Sequence, residues 1–129
     1  MVRPRPAEHN GHPMINETGV MTDKFQVVIS TCPTKAFAEQ LAGRIVQAEL
    51  AACVSVIPSV RSYYRWQGQV ESSEEVLLLI KSRTDVFDAL QSMITSQHPY
   101  ELPEIVAVPI TTGSAPYLKW LDASVRQPP

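Results

Sequence analysis

Two stretches of the chain, residues 76–80 (Val-Leu-Leu-Leu-Ile) and 105–110 (Ile-Val-Ala-Val-Pro-Ile), are apolar at odd and even positions alike. Successive residues of a strand point to opposite faces, so strands built from these runs need apolar cover on both sides of their sheet. Residues 25–31 repeat the pattern, with Phe25, Val27 and Ile29 on one side and Val28 on the other. Whatever fold the chain adopts must supply two covering layers.

The chain offers few helices for that task. From Thr34, an N-cap residue type, Phe37, Leu41 and Ile45 recur every four positions beside Ala38, Ala42 and Val46, which predicts a helix to about Leu50. Val86, Phe87, Leu90, Met93 and Ile94 mark the apolar face of a second helix over 85–97. Pro99 stops it and pushes His98 into an extended conformation just past the helix end, with its ring expected to face a cleft. A shorter third helix is expected over 116–125.

Between the first two helices, residues 53–57 read as a strand, followed by a hairpin. Its arms are 60–66 and the segment running from Val70 through a polar patch into 76–80, with the turn at Gln67-Gly68 and a bend at Pro58. The last strand, 105–108, ends at Pro109, which belongs on a sheet edge because proline cannot donate to the ladder. The order strand, helix, strand, strand, helix, strand predicts an α+β fold of the ferredoxin-like split βαβ type with an added C-terminal helix. Helices cover one face of such a sheet, so a second copy of the chain is the economical cover for the other.

At 129 residues, 44% hydrophobic and 19% charged, the chain suits a single domain with one core. A formal charge of -2 with scattered basic residues argues against nucleic acid as a partner. Two cysteines outside any CxxC spacing read as reduced thiols of a cytoplasmic protein, and no membrane partner is expected. Residues 1–23, with Pro4, Pro6, Pro13, Gly11 and Gly19, predict a disordered extension without a signal-peptide core, in which Met14 and Met21 are alternative starts. His9 and His12 read there as a chance pair, and the Asn16 sequon has no secretory context. The folded domain is placed at 24–125, with 126–129 as a tail.

For chemistry, His98 is the one histidine of the folded region, and a histidine with a thiol nearby is the minimum for a soft transition-metal site. The other reading is a helix-end histidine bonded to the last carbonyls. Cys53 reads as a small packed residue of its strand. No Gly-rich phosphate loop, HExxH or GxSxG pattern is present, so enzymatic activity is not expected.

The run His98-Pro99-Tyr100-Glu101-Leu102-Pro103-Glu104, with the strand after it, resembles the HPYE-x-PE-x-x-A-x-PI signature of the CutA divalent-cation-tolerance family. Ala51-Ala52-Cys53-Val54, Ser62-x-Tyr64-x-Trp66-x-Gly68, the run Glu75 to Lys81 and Tyr117-Leu118-x-Trp120-Leu121 are similar to further blocks of that family, in the same order. The resemblance implies a homotrimer whose long hairpins reach between subunits. It implies divalent-cation binding, of copper above all, in metal tolerance, with no cofactor required and Cu2+ or another divalent metal as the ion bound. Some relatives have proposed copper ligands in two consecutive histidines and a cysteine; here Gln97 and Ser30 stand at two of those positions, leaving His98 and Cys32 as the expected metal pair. Tyr64, Trp66, Glu75, Lys81, Tyr100 and Glu104 all fall in the matching blocks and are expected to line a ligand cleft between subunits. Glu75 and Lys81, six apart on one strand face, could form an ion pair or pin a small anion or metal-bound ligand there. A PII-like small-ligand sensor and a protein-interaction scaffold are the alternative functions.

Overall fold

The computed structural model describes residues 19–129. Residues 1–18, which hold His9, His12, Met14, the sequon and most of the expected disordered extension, lie outside the described residues. The elements are β1 (Gly19–Cys32), α1 (Lys35–Gln47), β2 (Cys53–Trp66), β3 (Gln69–Arg83), α2 (Phe87–Gln97), β4 (Val106–Ser114) and α3 (Ala115–Ser124), with a single 3-10 turn at Thr84–Val86 leading into α2. The strands form one four-stranded antiparallel sheet in the order β2-β3-β1-β4.

Strand β1 starts at Gly19, inside the segment expected to be disordered. Val20 pairs with Gly113 and Met21 with Thr112, so backbone hydrogen bonding to β4 orders a stretch whose side chains carry no strand pattern. Strand β4 likewise runs past Pro109 to Ser114. Because β4 is an edge strand, the missing proline N–H interrupts no ladder on the far side, and the strand need not end there. Helix α1 starts as expected, the Thr34 hydroxyl accepting from the Phe37 N–H at 3.1 Å. It ends at Gln47, three residues short of Leu50, because Glu49 takes a left-handed φ of 59° that turns the chain back. Leu50 is still buried.

One row of the sheet, Val28, Leu78 and Ile80, is fully buried and forms the core with Leu41 and Ile45 of α1 and Leu90 and Ile94 of α2. Burying aliphatic side chains of this size stabilises the fold by about 1.5–3 kcal/mol each. The opposite row is only half covered. Val27, Ile29, Leu77 and Leu79 are intermediate in exposure, and Val106 and Val108 are 49% and 47% exposed. Helix α3, which the sequence reading left without a covering role, caps the Phe25 and Arg83 end of that row. Phe25 and Arg83 are register partners and so share a face, and the Arg83 guanidinium donates to the Asp122 and Val125 carbonyls at the end of α3.

Candidate functional site

The site begins with an irregularity in the hairpin. The tip is a two-residue turn with both central residues in the left-handed region, Gln67 at φ 52° and Gly68 at φ 81°, a geometry whose twist matches the flanking strands. Nearer the sheet, Ile57 pairs with Leu77 but Val60 pairs with Glu75, so Pro58 and Ser59 stand opposite the single residue Val76. This is a β-bulge, with Ser59 at φ 64°, where the sequence placed a bend at Pro58. Before it, odd residues of β2 face odd residues of β3; after it, even residues do. The bulge thereby turns Ser62, Tyr64 and Trp66 onto the face of Glu71, Ser73 and Glu75.

That face forms one wall of a cleft of about 800 Å³. The facing wall is the segment after α2, which contributes Tyr100, Glu101 and Glu104, and Thr31 of β1 closes the end. Five of the six residues expected to line a ligand cleft are therefore brought together: Tyr64, Trp66, Glu75, Tyr100 and Glu104. Glu75 is 8% exposed, and the Tyr100 hydroxyl donates to its Oε2 at 2.8 Å. No ion pair holds Glu75 among the described residues. Among the described residues, four carboxylates, Glu71, Glu75, Glu101 and Glu104, line the cleft together with one guanidinium, Arg65. Burial, and then the Glu75 hydrogen bond and charge, hold the Tyr100 hydroxyl well above the usual phenol range.

Lys81 does not join them. It shares the face of Glu75, but six residues of strand separate the two by roughly 20 Å, too far for an ion pair or a shared anion. Its ammonium donates instead to Ser55 Oγ at 2.6 Å, and Cys53 Sγ lies 3.8 Å away. Cys53 is half-buried on its strand.

His98 sits just past α2, extended at φ -76° and ψ 138°, but its ring is not free to face a cleft. It is 9% exposed and packs edge-on against Phe37 and tilted against Tyr100. Nδ1 accepts the Tyr100 backbone N–H at 3.1 Å, which leaves Nε2 as the protonated nitrogen, donating to the Thr31 carbonyl at 2.7 Å. Both nitrogens of a neutral ring are thus engaged, neither with a lone pair open to a metal. The bonds run to β1 and the following loop, not to the last helix carbonyls, so His98 ties the α2 exit to the sheet. Cys32 is fully buried, and burial followed by the Glu75 charge pushes its thiol up to about 11, far from the thiolate that a soft metal takes. Ser30 is fully buried as well, its hydroxyl without a hydrogen-bond partner among the described residues. As arranged here, the His98 and Cys32 pair does not fit a metal.

Sequence reasoning missed Glu71 and Glu101, and the hairpin's polar patch was the signal for the first: Glu71, Ser73 and Glu75 alternate, as residues sharing a strand face do. It also missed Arg83, buried at 2% exposure, for which a charge at the end of an apolar run gives no warning.

The sequence profile of the family described as CutA1 divalent ion tolerance protein matches residues 26–124. Divalent-cation tolerance protein CutA of Thermus thermophilus is 45% identical over 96 residues, covering 74% of this chain and 93% of that protein. Protein CutA, chloroplastic, of Arabidopsis thaliana is 44% identical over 100 residues, covering 78% of this chain and 55% of that protein. This chain thus spans little more than half the length of the Arabidopsis protein. The crystal structure of CutA1 from Oryza sativa superposes with a TM-score of 0.80 at 42% identity, covering 82% of this chain and 97% of that one. No helix among the described residues is long and apolar enough to cross a membrane. With the profile spanning α1 through α3 and the solved relative sharing its architecture, this chain belongs to the CutA1 divalent ion tolerance protein family.

Proposed function

We propose that the chain serves divalent-cation tolerance as a non-enzymatic, ligand-binding homotrimer of the cytosol, with the hairpin cleft as its binding site. The observation that carries this reading is a buried carboxylate lining the cleft beside aromatic side chains, held among the described residues by a single neutral hydrogen bond, from Tyr100. Pockets that hold small molecules combine apolar walls with a few convergent polar groups in a volume of about 300–1,000 Å³. The strand order β2-β3-β1-β4, with a helix after the first and third strands, supports a ferredoxin-like reading of the sheet. The half-covered row ending in Val106 and Val108 supports assembly with other copies of the chain, and light scattering at micromolar concentration would refute it by finding a monomer.

Copper bound by His98 and Cys32 is the competing reading, and it requires the Thr31 and Tyr100 bonds to open. A thermal-shift screen of small ligands distinguishes the two, since a ligand present at about 100 times its Kd stabilises by about 2.7 kcal/mol. A stabiliser whose effect disappears in Glu75→Gln supports the cleft. Calorimetric titration with Cu2+, in a background with His9 and His12 replaced by alanine, should be unaffected by His98→Ala. Loss of one copper per chain in that variant would restore the metal pair.

A further inference from the structure

We infer that Cys53 and Lys81 form a redox modification site, in which peroxide oxidation of the thiol is captured by the lysine amine as a reversible sulfur-nitrogen crosslink between β2 and β3. The site is separate from the cleft and does not depend on the function proposed for it.

The sheet sets the placement. Cys53 and Lys81 are register partners on β2 and β3, so their side chains leave the same face side by side. Lys81 Nζ lies 3.8 Å from Cys53 Sγ, and its donation to Ser55 Oγ at 2.6 Å holds the amine there. On its other side Lys81 pairs with Val27, which puts the pair on the half-covered face of the sheet. Cys53 is itself half-buried, within reach of an oxidant the size of water. Burial, and then the Cys53 charge, lift the Tyr117 hydroxyl of α3 above the usual phenol range, so α3 borders the pair.

Two further observations separate this thiol from one that only packs. Lys81 takes part in no ion pair among the described residues, so a half-buried amine is committed to a hydroxyl and a thiol and not to a carboxylate. The chain's second thiol is out of reach. Cys32 pairs with Val76, on the opposite face and roughly 17 Å along β3 from Lys81, well beyond the span of a disulfide. An oxidised Cys53 therefore meets nitrogen and not sulfur within its own chain.

The chemistry closes with one peroxide. The Cys53 sulfur attacks hydrogen peroxide, the O–O bond breaks as the S–O bond forms, and water leaves; sulfur is oxidised by two electrons to the sulfenic acid. Lys81, its ammonium proton passed to solvent, attacks that sulfur. The S–N bond forms, the S–O bond breaks, and the hydroxyl departs as water with a proton from the amine. An external thiol reverses the step, attacking sulfur to free the amine and leaving a mixed disulfide that a second thiol reduces. The crosslink fixes β2 to β3 at the root of the hairpin whose outer half walls the cleft.

The test treats the full chain with hydrogen peroxide in modest excess and reads intact mass and a non-reducing peptide map. The expected result is a loss of about 2 Da per chain and a peptide joining Cys53 to Lys81, both reversed by dithiothreitol. Lys81→Arg keeps the positive charge but removes the nucleophile; it should give no crosslink, and its Cys53 should instead be labelled by dimedone, which traps sulfenic acids. Cys32→Ser should crosslink as the parent does. The parent chain decides the point even if a variant fails to fold: Cys53 recovered as a free thiol, a sulfinic acid or an interchain disulfide, with no peptide joined to Lys81, overturns the inference. So does a crosslink at Cys53 that persists in Lys81→Arg.

Discussion

At one end of β3 the Arg83 guanidinium, 2% exposed, donates five hydrogen bonds: to Asp85, to the carboxylate and carbonyl of Asp122, and to the carbonyls of Val125 and Arg126. Eight residues earlier on the same strand, Glu75 is nearly as buried, yet it accepts one hydrogen bond from a neutral hydroxyl and opens onto a cleft. The first charge is saturated by the protein's own groups and serves to fasten α3 across the half-covered face. The second is left with capacity for a partner. Burial alone does not distinguish a structural charge from a functional one; the number of partners each has acquired does.

The largest expected effect lies at the saturated end. Arg83→Met leaves the Asp85 carboxylate and three carbonyls without their donor, and Asp122 with Lys24 alone, and should cost about 3–5 kcal/mol, with hydrogen exchange in α3 rising before the rest of the sheet. A loss below about 1 kcal/mol would show that α3 docks through Leu118 and Leu121 alone and would remove the contrast. His98→Ala, which breaks the tie between β1 and the α2 exit, should cost about 1–3 kcal/mol in denaturant unfolding. At the unsaturated end the same experiment should give much less. Glu75→Gln keeps an acceptor for Tyr100 while removing a buried charge, so stability should change by less than about 1 kcal/mol, and a gain is the sharper outcome. A loss as large as that of Arg83→Met would mean that Glu75 is as structural as its counterpart.

Titration separates the two ends further. The Cys32 thiol is raised from 9.0 to about 11 in the folded chain, so the folded state retains a proton that the unfolded chain releases. Its contribution is therefore fully present below pH 9 and lost as pH rises from about 9 to 11, and Glu75→Gln should flatten part of that slope. At the Arg83 end the sign reverses. Asp122 is held below the usual carboxylate range, first by its hydrogen bond from Lys24 and then by charge and hydrogen bonding from Lys24 and Arg83. Its contribution is present above the usual carboxylate pKa and lost as pH falls through the lowered one. Being partly exposed, Asp122 should show the smallest effect of the set, seen as a slightly shallower acid limb in Asp122→Asn.

Most of the element order was legible because it follows from side-chain periodicity. The apolar faces of α1 and α2, the two-faced strands and the Gln67-Gly68 turn all express a local pattern. The ordered residues 19–23 were not legible, since their strand is made by backbone pairing with β4, to which side-chain identity contributes little. Five of the six cleft residues were found from motif blocks; Lys81 was not separable from them, because strand parity gives the face of a residue but not its distance along it. His98 was placed correctly on the chain and incorrectly in space, its ring turned inward by acceptors and donors on β1 and residue 100.

The amino-acid sequence by itself determined the strands, the helices, their order and the need for cover on both sheet faces, all consequences of interactions between residues a few positions apart. Tertiary structure decided what those elements carry. A single extra residue at Pro58-Ser59 reverses the facing of the hairpin's outer half, and with it brings Tyr64 and Trp66 onto the face that carries Glu75 and not onto the opposite one. Whether a buried charge is satisfied depends on partners far along the chain: Arg83 finds Asp122 across 39 residues, while Glu75 finds Tyr100 across 25 and no counter-ion among the described residues. No local pattern encodes that difference, because hydrogen-bond saturation is a property of the assembled neighbourhood and not of the residue.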